Sequence, residues 1–369
     1  MYNFLSSLDS LVWGPPLLVL LVGTGIYLSS RLGLLQVFRL PKALKLIFKS
    51  EAKGKGDISS FAALATALAA TVGTGNIVGV ATAIKLGGPG ALLWMWMAAF
   101  FGMATKYAEG VLAIKYRTTD ANGEISGGPM HYIVNGMGKR WKPLAVAFSI
   151  FGVTVALFGS GTFTQVNSIT DSLSNTVGWS PKIISIVLAV LVSIIIFGGI
   201  QSISKVAEKI VPFMAIIYIL ATIAILAFHC NQILPSIALV IKSAFTGKAA
   251  TGGFAGATVI TAIQAGVARG IFSNESGLGS APIAAAAAKT DEPVEQGLVS
   301  MTGTFIDTII ICTLTGLSII VTGGWSSNSD TISILNCLWK LWCLCLDIQF
   351  NSLCLYHNSW LGILRRTLF

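Results

Sequence analysis

One stretch in the middle of a long apolar run reads Ala70-Thr71-Val72-Gly73-Thr74-Gly75-Asn76-Ile77-Val78-Gly79. Each glycine costs about 1 kcal/mol in a helix interior, and the Asn76 amide needs hydrogen-bond partners wherever water is absent. The four-residue spacing of Gly75 and Gly79 is by itself also typical of a helix-packing face. Gly73 and Asn76 favour a helix that unwinds here and lines a site.

The whole chain is strongly apolar. Of its 369 residues 54% are hydrophobic and 11% are charged, with a mean hydropathy of +0.78, whereas a soluble domain carries about 25% charged residues. This composition excludes a soluble enzyme, a nucleic-acid-binding protein and a disordered protein. Six cysteines without C-x-x-C spacing predict neither a disulfide framework nor a metal-thiolate site.

Eight runs are long enough to cross the bilayer, for which a helix needs roughly 20 apolar residues. They lie near residues 12–30, 58–86, 90–114, 143–167, 181–200, 208–229, 251–268 and 294–322. One set of alternate loops holds sixteen Lys and Arg residues, and the other set holds four. Because cytoplasmic loops carry the excess of basic residues, we expect a multi-pass protein of the inner cell membrane with its N-terminus outside.

The segment after the first span is basic and amphipathic. Residues 37–50 place Phe38, Leu44, Ile47 and Phe48 among interleaved Lys and Arg residues. This pattern is typical of a helix that lies on the membrane surface, and we expect it on the cytoplasmic leaflet.

A break near the bilayer midplane exposes backbone N–H groups at the start of one half-helix and carbonyl groups at the end of the other. The N–H groups attract a carboxylate, while the carbonyls and the Asn76 side chain can coordinate Na⁺. A second irregular region, from Gly252 to Pro282, begins about 190 residues after the first broken span and enters from the opposite side. Broken helices at corresponding points of two oppositely oriented halves indicate a secondary transporter.

Polar residues elsewhere in the spans add candidates. Asp307 lies near the middle of the eighth span, where a carboxylate costs at least about 3 kcal/mol unless it is paired or metal-bound. A structural hydrogen bond to a neighbouring helix is the alternative. Gln165 lies near the outer end of the fourth span, where a solvated helix end is the alternative. Lys106 and Glu109 of the third span are interpreted as interfacial.

Four motifs together resemble those of the alanine/glycine:cation (sodium:alanine) symporter family of bacteria and archaea. They are Gly73-Thr74-Gly75-Asn76-Ile77, Gly127-Gly128-Pro129-Met130, the long run from Gly266 to Pro282 that contains Arg269-Gly270-Ile271-Phe272-Ser273-Asn274-Glu275, and Phe305-Ile306-Asp307-Thr308. The likeness covers roughly residues 10–324.

The resemblance implies a leucine-transporter-type fold of two inverted five-helix repeats, preceded by one extra helix. It also implies inward transport of alanine or glycine with Na⁺. The implied substrate contacts are Gly73, Thr74 and Gly75 around the carboxylate, Gln165 from the fourth span, and Thr258 and Thr261 from the seventh. The implied sodium ligands are Thr71, Asn76 and Asp307.

The likeness divides the chain into four parts: the extra helix with the basic amphipathic segment (1–57), a first repeat (58–248), a partial second repeat (249–324) and an aberrant tail (325–369). The tail holds four of the nine Trp but one of the 39 Gly residues, and we expect a truncation or frameshift there that prevents transport. The alternatives to a Na⁺/alanine symporter are a symporter for another small solute, one coupled to H⁺, and a non-transporting remnant. The sequence indicates no oligomeric state.

Overall fold

The computed structural model describes residues 12–49, 54–119, 125–158, 160–246 and 259–325. Within these ranges the protein is all-α, as predicted, apart from a small antiparallel hairpin of β1 (Thr118–Thr119) and β2 (Ile125–Ser126). The described α-helices are α1 Pro15–Arg31, α2 Leu35–Phe38, α3 Leu40–Lys49, α4 Ser60–Thr71, α5 Val80–Gly87, α6 Ala91–Lys115, α7 Pro129–Met137, α8 Lys142–Phe158, α9 Ser160–Val177, α10 Pro181–Ile196, α11 Gly199–Phe228, α12 Cys230–Thr246, α13 Val259–Asn274, α14 Ala281–Ala286, α15 Pro293–Thr304 and α16 Thr313–Val321. A 3₁₀ turn covers Lys139–Trp141, and two π-helical segments are π1 (Gly75–Gly79) and π2 (Phe305–Cys312).

Three described helices are long and apolar enough to cross a membrane: Lys139–Leu157, Gln201–Phe228 and Pro293–Val321. The pair Ser60–Thr71 and Gly75–Gly87 makes a fourth if it is counted as one bent span. Two further apolar helices, Pro16–Arg31 and Pro181–Ile196, are shorter. Each of the eight runs coincides at least in part with a described helix, and the count of eight spans stays a prediction.

The outer faces of several helices are apolar. Phe151 of α8, Ile194 of α10 and Phe213 of α11 are each more than 60% exposed. A soluble monomer rarely exposes large contiguous apolar patches, and side chains of this kind suit contact with lipid. The exposed surface therefore agrees with the membrane class that the composition indicates.

Helix α6 lies at the centre of the fold and packs most extensively against α15 and α13. Glycines allow these close approaches. A Cβ atom at Gly266 of α13 would lie 2.3 Å from the Ala91 carbonyl oxygen of α6, and one at Gly110 of α6 would lie 3.0 Å from the Cα atom of Gly297 in α15. Small residues at helix contacts are typical of membrane bundles, where packing is the main attraction between helices.

One predicted boundary is wrong. The seventh span was expected over 251–268 within an irregular region, yet α13 continues through Gly266 and Gly270 to Asn274. Those glycines face α6 and do not break the helix, and the irregular turn follows at residues 275–280. The described helices α8 and α9 cover the predicted fourth span on either side of residue 159, which lies outside the described ranges, and α9 contains Gln165. Residues 247–258, including Gly252 and Thr258, lie outside the described ranges.

The amphipathic segment is helical, as the sequence predicts. In α3, Ala43 and Ile47 are buried, and this helix packs against α15. Phe48 of α3 is 85% exposed, and Phe38, at the end of α2, is 71% exposed. The helix therefore has one face on the protein and leaves Phe48 free to contact the membrane surface.

A network around Arg117 joins three parts of the chain at one end of α6. A parallel bridge pairs Ile58, just before α4, with Ala288, just after α14. The Arg117 guanidinium donates to the carbonyls of Lys55, Ala286, Ala288 and Thr290 at 2.7 to 2.9 Å, and it lies 3.5 Å from the Asp291 carboxylate. The N-terminal end of α4 is thereby fixed beside the C-terminal end of α14.

Candidate functional site

The helix of the second predicted span is broken where the sequence predicts it. α4 ends at Thr71, Val72 adopts an extended conformation with φ −78° and ψ 105°, and the helical axes on either side differ by 54°. The non-helical part is short, because Thr74 is already helical and Gly75–Gly79 form π1. The unwound segment predicted across residues 70–79 is thus confined to Val72 and Gly73.

Asn76, in π1, connects the break to two other elements. Its Oδ1 atom accepts a hydrogen bond of 2.7 Å from the Gly73 backbone N–H. Its Nδ2 atom donates to Asp307 Oδ1 at 2.7 Å and to Ser273 Oγ at 3.1 Å. Asn76 has no exposed surface. The hydrogen-bond partners that its buried side-chain amide needs come from the break itself, from α13 and from π2.

Asp307 is equally buried, with 0% of its surface exposed. Its Oδ2 atom accepts hydrogen bonds from Ser273 Oγ at 2.9 Å and Thr308 Oγ1 at 2.8 Å. Among the described residues no Lys, Arg or His nitrogen lies within 4.0 Å of this carboxylate. The carboxylate is therefore surrounded by neutral donors, an arrangement that a bound cation would stabilise.

Asn76, Ser273, Asp307 and Thr308 form one hydrogen-bonded group, the Asn76–Asp307 cluster. Both π-helical segments contribute residues to it. π1 contributes Asn76, and π2 contributes Asp307, Thr308 and Cys312. π-Helical turns are rare and occur frequently at functional sites, because the wider turn redirects side chains. Carboxylate, amide and hydroxyl oxygens are ligands that suit hard cations, and in the described part of the chain no cluster of His, Cys, Asp and Glu offers a transition-metal site.

The predicted substrate residues are partly brought together. A Cβ atom at Gly73 would lie 3.0 Å from Gln165 Nε2, so the side chain from α9 touches the break. A Cβ atom at Gly75 would lie 3.5 Å from the Cα atom of Ser273 in α13. Thr74 lies between them and is largely buried.

The structure places two other predicted residues, Thr71 and Thr261, differently from Asn76 and Asp307. The Thr71 hydroxyl bonds back to the Leu68 carbonyl of its own helix at 3.4 Å. Thr261 precedes Ser273 by twelve positions on α13, which is about 18 Å along a helix. α13 brings Ser273 and Asn274, and not Thr261, to the break, while Thr258 is outside the described ranges.

Sequence reasoning missed several residues here. Ser273, Asn274 and Thr308 all join the hydrogen-bond network, with Asn274 Nδ2 donating to Thr308 Oγ1 at 3.1 Å. The polar run Ser273-Asn274-Glu275-Ser276 inside a glycine-rich region was the available signal. Lys106 and Glu109, which the sequence analysis interprets as interfacial, are only 3% and 7% exposed and contact the end of α13 and the turn that follows it, so both are buried within the bundle.

A small cavity lies on the N-terminal side of the break. Its volume of about 20 Å³ is room for about one water molecule. Polar groups on its wall belong to Thr71, Lys106, Asn274, Gln296 and Ser300. This volume is far smaller than that of an amino acid.

A bundle of apolar helices, one of them broken beside a buried carboxylate, defines a class: polytopic α-helical membrane transporters. The comparison with known proteins agrees. The model of the sodium:alanine symporter family matches residues 1–337, and the chain belongs to this family, whose members are transporters and not enzymes.

Several relatives are closely similar. An uncharacterized transporter of Haemophilus influenzae is 58% identical over 325 residues, which cover 88% of this chain and 71% of the relative. The sodium/alanine symporter AgcS of Methanococcus maripaludis is 56% identical over 325 residues, 87% of this chain and 71% of AgcS. A Bacillus subtilis protein named "Probable sodium/glutamine symporter GlnT" is 41% identical over 315 residues, 85% of this chain and 64% of GlnT.

Proposed function

We propose that the protein is a Na⁺-coupled symporter that carries a small neutral amino acid, alanine or glycine, into the cell. The observation that carries this proposal is the buried Asp307 carboxylate, bonded to Asn76 of the broken helix and to Ser273 and Thr308. A cation bound beside Asp307 interacts directly with the network that holds the break. Binding of the ion and the shape of the substrate site are therefore coupled through Asn76.

The substrate carboxylate is proposed to lie at the start of the second half-helix. Thr74 and Gly75 begin the helical turn after the break, and the N-terminal amides of a helix favour an anion. Gly73 has no side chain there, and the Gln165 amide lies beside it. These features support a small amino acid as the substrate. The name of the relative AgcS, sodium/alanine symporter, supports alanine in particular.

The remaining architectural assignments are proposals too. The distribution of basic residues supports an external N-terminus. The broken helix within 58–248 and the turn after α13 within 249–324 support two inverted repeats preceded by an extra helix, as in leucine-transporter-type proteins. Thr71, Asn76 and Asp307 remain the proposed cation ligands. The hydrogen bond between Asn76 and Asp307 supports those two, and Thr71 rests on the family resemblance.

Uptake of radiolabelled alanine into proteoliposomes tests the proposal. An inward Na⁺ gradient should drive accumulation, and K⁺ or choline in its place should not. Unlabelled glycine should compete with labelled alanine. Unlabelled glutamine, the solute in the name of the relative GlnT, tests whether a different amino acid is the substrate. Accumulation driven by a proton gradient without Na⁺ would show that the coupling ion is H⁺, and competition by glutamine and not glycine would show a different substrate. No accumulation under any gradient would favour the non-transporting remnant that the tail at 325–369 led us to expect.

A further inference from the structure

Helix α6 carries two buried ionisable residues that are not ligands of the proposed cation site. Lys106 and Glu109 are three residues apart, so they share a face of the helix. Lys106 Nζ donates to the Asn274 carbonyl at 2.9 Å, and Glu109 Oε1 accepts from the Gly279 N–H at 3.0 Å. Ionisable groups inside a membrane bundle are costly and therefore indicate a function.

The contact of Lys106 leads to Asp307 through one residue. Asn274 is the last residue of α13, and its carbonyl belongs to the final turn, which lacks helical donors and attracts a cation. The side chain of Asn274 donates to Thr308 Oγ1 at 3.1 Å, and Thr308 Oγ1 donates to Asp307 Oδ2 at 2.8 Å. The preceding residue, Ser273, donates to the same carboxylate oxygen.

We propose that Lys106 is a positioning residue for the cation site. By holding the Asn274 carbonyl, its ammonium group fixes the end of α13, and with it the two hydroxyl groups that orient the Asp307 carboxylate. The inference rests on the proposed function and names a residue that acts on the ion site without touching the ion. Groups that orient the ligands of a metal commonly change its affinity 10- to 100-fold when removed.

Glu109 provides a matched control. It lies on the same helix, is as deeply buried and contacts the same turn, but at Gly279, five residues beyond Asn274. In the described structure no hydrogen bond joins its carboxylate to Ser273, Asn274 or Thr308. Glu109 also attracts the nearby Lys106 ammonium group, but this attraction does not hold the Asn274 carbonyl, so loss of the Glu109 charge should affect the stability of the turn and leave the orientation of Asp307 largely unchanged.

The direction of the effect separates positioning from simple charge repulsion. A lysine near a cation site repels Na⁺, so removal of its charge alone would tighten Na⁺ binding. Loss of the bond to Asn274 loosens the hydroxyl groups around Asp307 and weakens Na⁺ binding. The two causes predict opposite changes in the Na⁺ concentration that gives half-maximal alanine binding.

The experiment measures binding of radiolabelled alanine to the purified protein as Na⁺ is varied, and as alanine is varied at saturating Na⁺. Lys106→Met should raise the half-maximal Na⁺ concentration at least about tenfold and change alanine affinity at saturating Na⁺ less than threefold. Lys106→Arg, which keeps a charged donor, should restore most of the Na⁺ affinity. Glu109→Gln should leave the Na⁺ response within twofold of wild type.

The outcomes are distinct. An unchanged or tighter Na⁺ response in Lys106→Met overturns the inference, and so does an equal loss of Na⁺ and alanine affinity in Lys106→Met and Glu109→Gln. If Lys106→Met is not recovered as folded protein, Lys106→Gln decides by the same criteria. If wild-type protein binds alanine without Na⁺, the proposed function fails instead of the role of Lys106.

Discussion

Asp307 is a buried carboxylate whose stability depends on the groups around it. Its carboxylate has no exposed surface and accepts from Asn76, Ser273 and Thr308, all neutral donors. Hydrogen bonds to a charged group contribute about 1.5–3 kcal/mol each, which offsets part of the several kcal/mol lost when an ion leaves water. A cation bound at this carboxylate, as proposed, would offset much of the remainder.

At this scale we expect Asp307→Asn and Asn76→Ala to weaken the Na⁺ dependence of alanine binding more than alanine recognition itself. The half-maximal Na⁺ concentration should rise at least about tenfold, because a carboxylate or its orienting amide is lost. Tyr218→Phe is the control: it removes a buried hydroxyl bonded to Thr315 at 2.6 Å and should leave the Na⁺ response unchanged. Folded Asp307→Asn protein with a wild-type Na⁺ response contradicts the assignment.

Gly75 gives a second prediction for single residues. A Cβ atom there would meet Ser273 at 3.5 Å, an ordinary contact, so Gly75→Ala should fold and retain alanine binding. Gly75→Leu carries its side chain further toward Ser273 and the proposed carboxylate position, and should abolish binding while membrane insertion persists. Equilibrium binding of labelled alanine to both variants distinguishes them, and normal binding by Gly75→Leu would move the substrate site elsewhere.

At the scale of elements, the break after α4 was predictable and the continuity of α13 was not. Gly73, Gly75 and a buried Asn76 in one turn combine poor helix formers with an amide that needs partners. Gly266 and Gly270 look equally disruptive in the sequence, but each costs only about 1 kcal/mol, and close packing on α6 offsets that cost. Such packing depends on a partner helix more than 150 residues away, which no local pattern contains.

The same limit explains Lys106 and Ser273. Both are polar residues near apolar runs, and the sequence alone does not tell whether the third span ends before Lys106 or carries it into the bundle. The structure buries Lys106 because α13 ends beside it at Asn274. Asp307 and Asn76 were identifiable because each lies well inside a span, where burial is the expected outcome.

The packing role of the α13 glycines can be measured. A Cβ atom at Gly266 would lie 2.3 Å from the Ala91 backbone oxygen, whereas one at Gly303 would meet the Leu64 side chain at 3.5 Å. Gly266→Ala should destabilise the fold by about 1–3 kcal/mol through overpacking, and Gly303→Ala should be nearly neutral. Thermal unfolding of the two purified variants gives the comparison, and equal melting temperatures would show that α13 is not packed on α6 as described.

For the whole molecule, the proposed orientation in the membrane rests on sixteen basic residues on one set of loops against four on the other. Cysteines introduced at Lys45 and Lys139, both exposed, should react with an impermeant reagent only from the cytoplasmic side. A cysteine at the exposed Ser180 should react only from outside. The six native cysteines are replaced first, and labelling of Lys139→Cys from outside reverses the topology.

The central claim for the whole molecule is that alanine and Na⁺ cross the membrane together. Entry of ²²Na⁺ into proteoliposomes, followed with and without external alanine, tests it most directly. We predict that alanine stimulates ²²Na⁺ entry in the wild-type protein and that Asp307→Asn abolishes the stimulation. Alanine uptake that proceeds without any stimulation of ²²Na⁺ entry would contradict sodium coupling through Asp307.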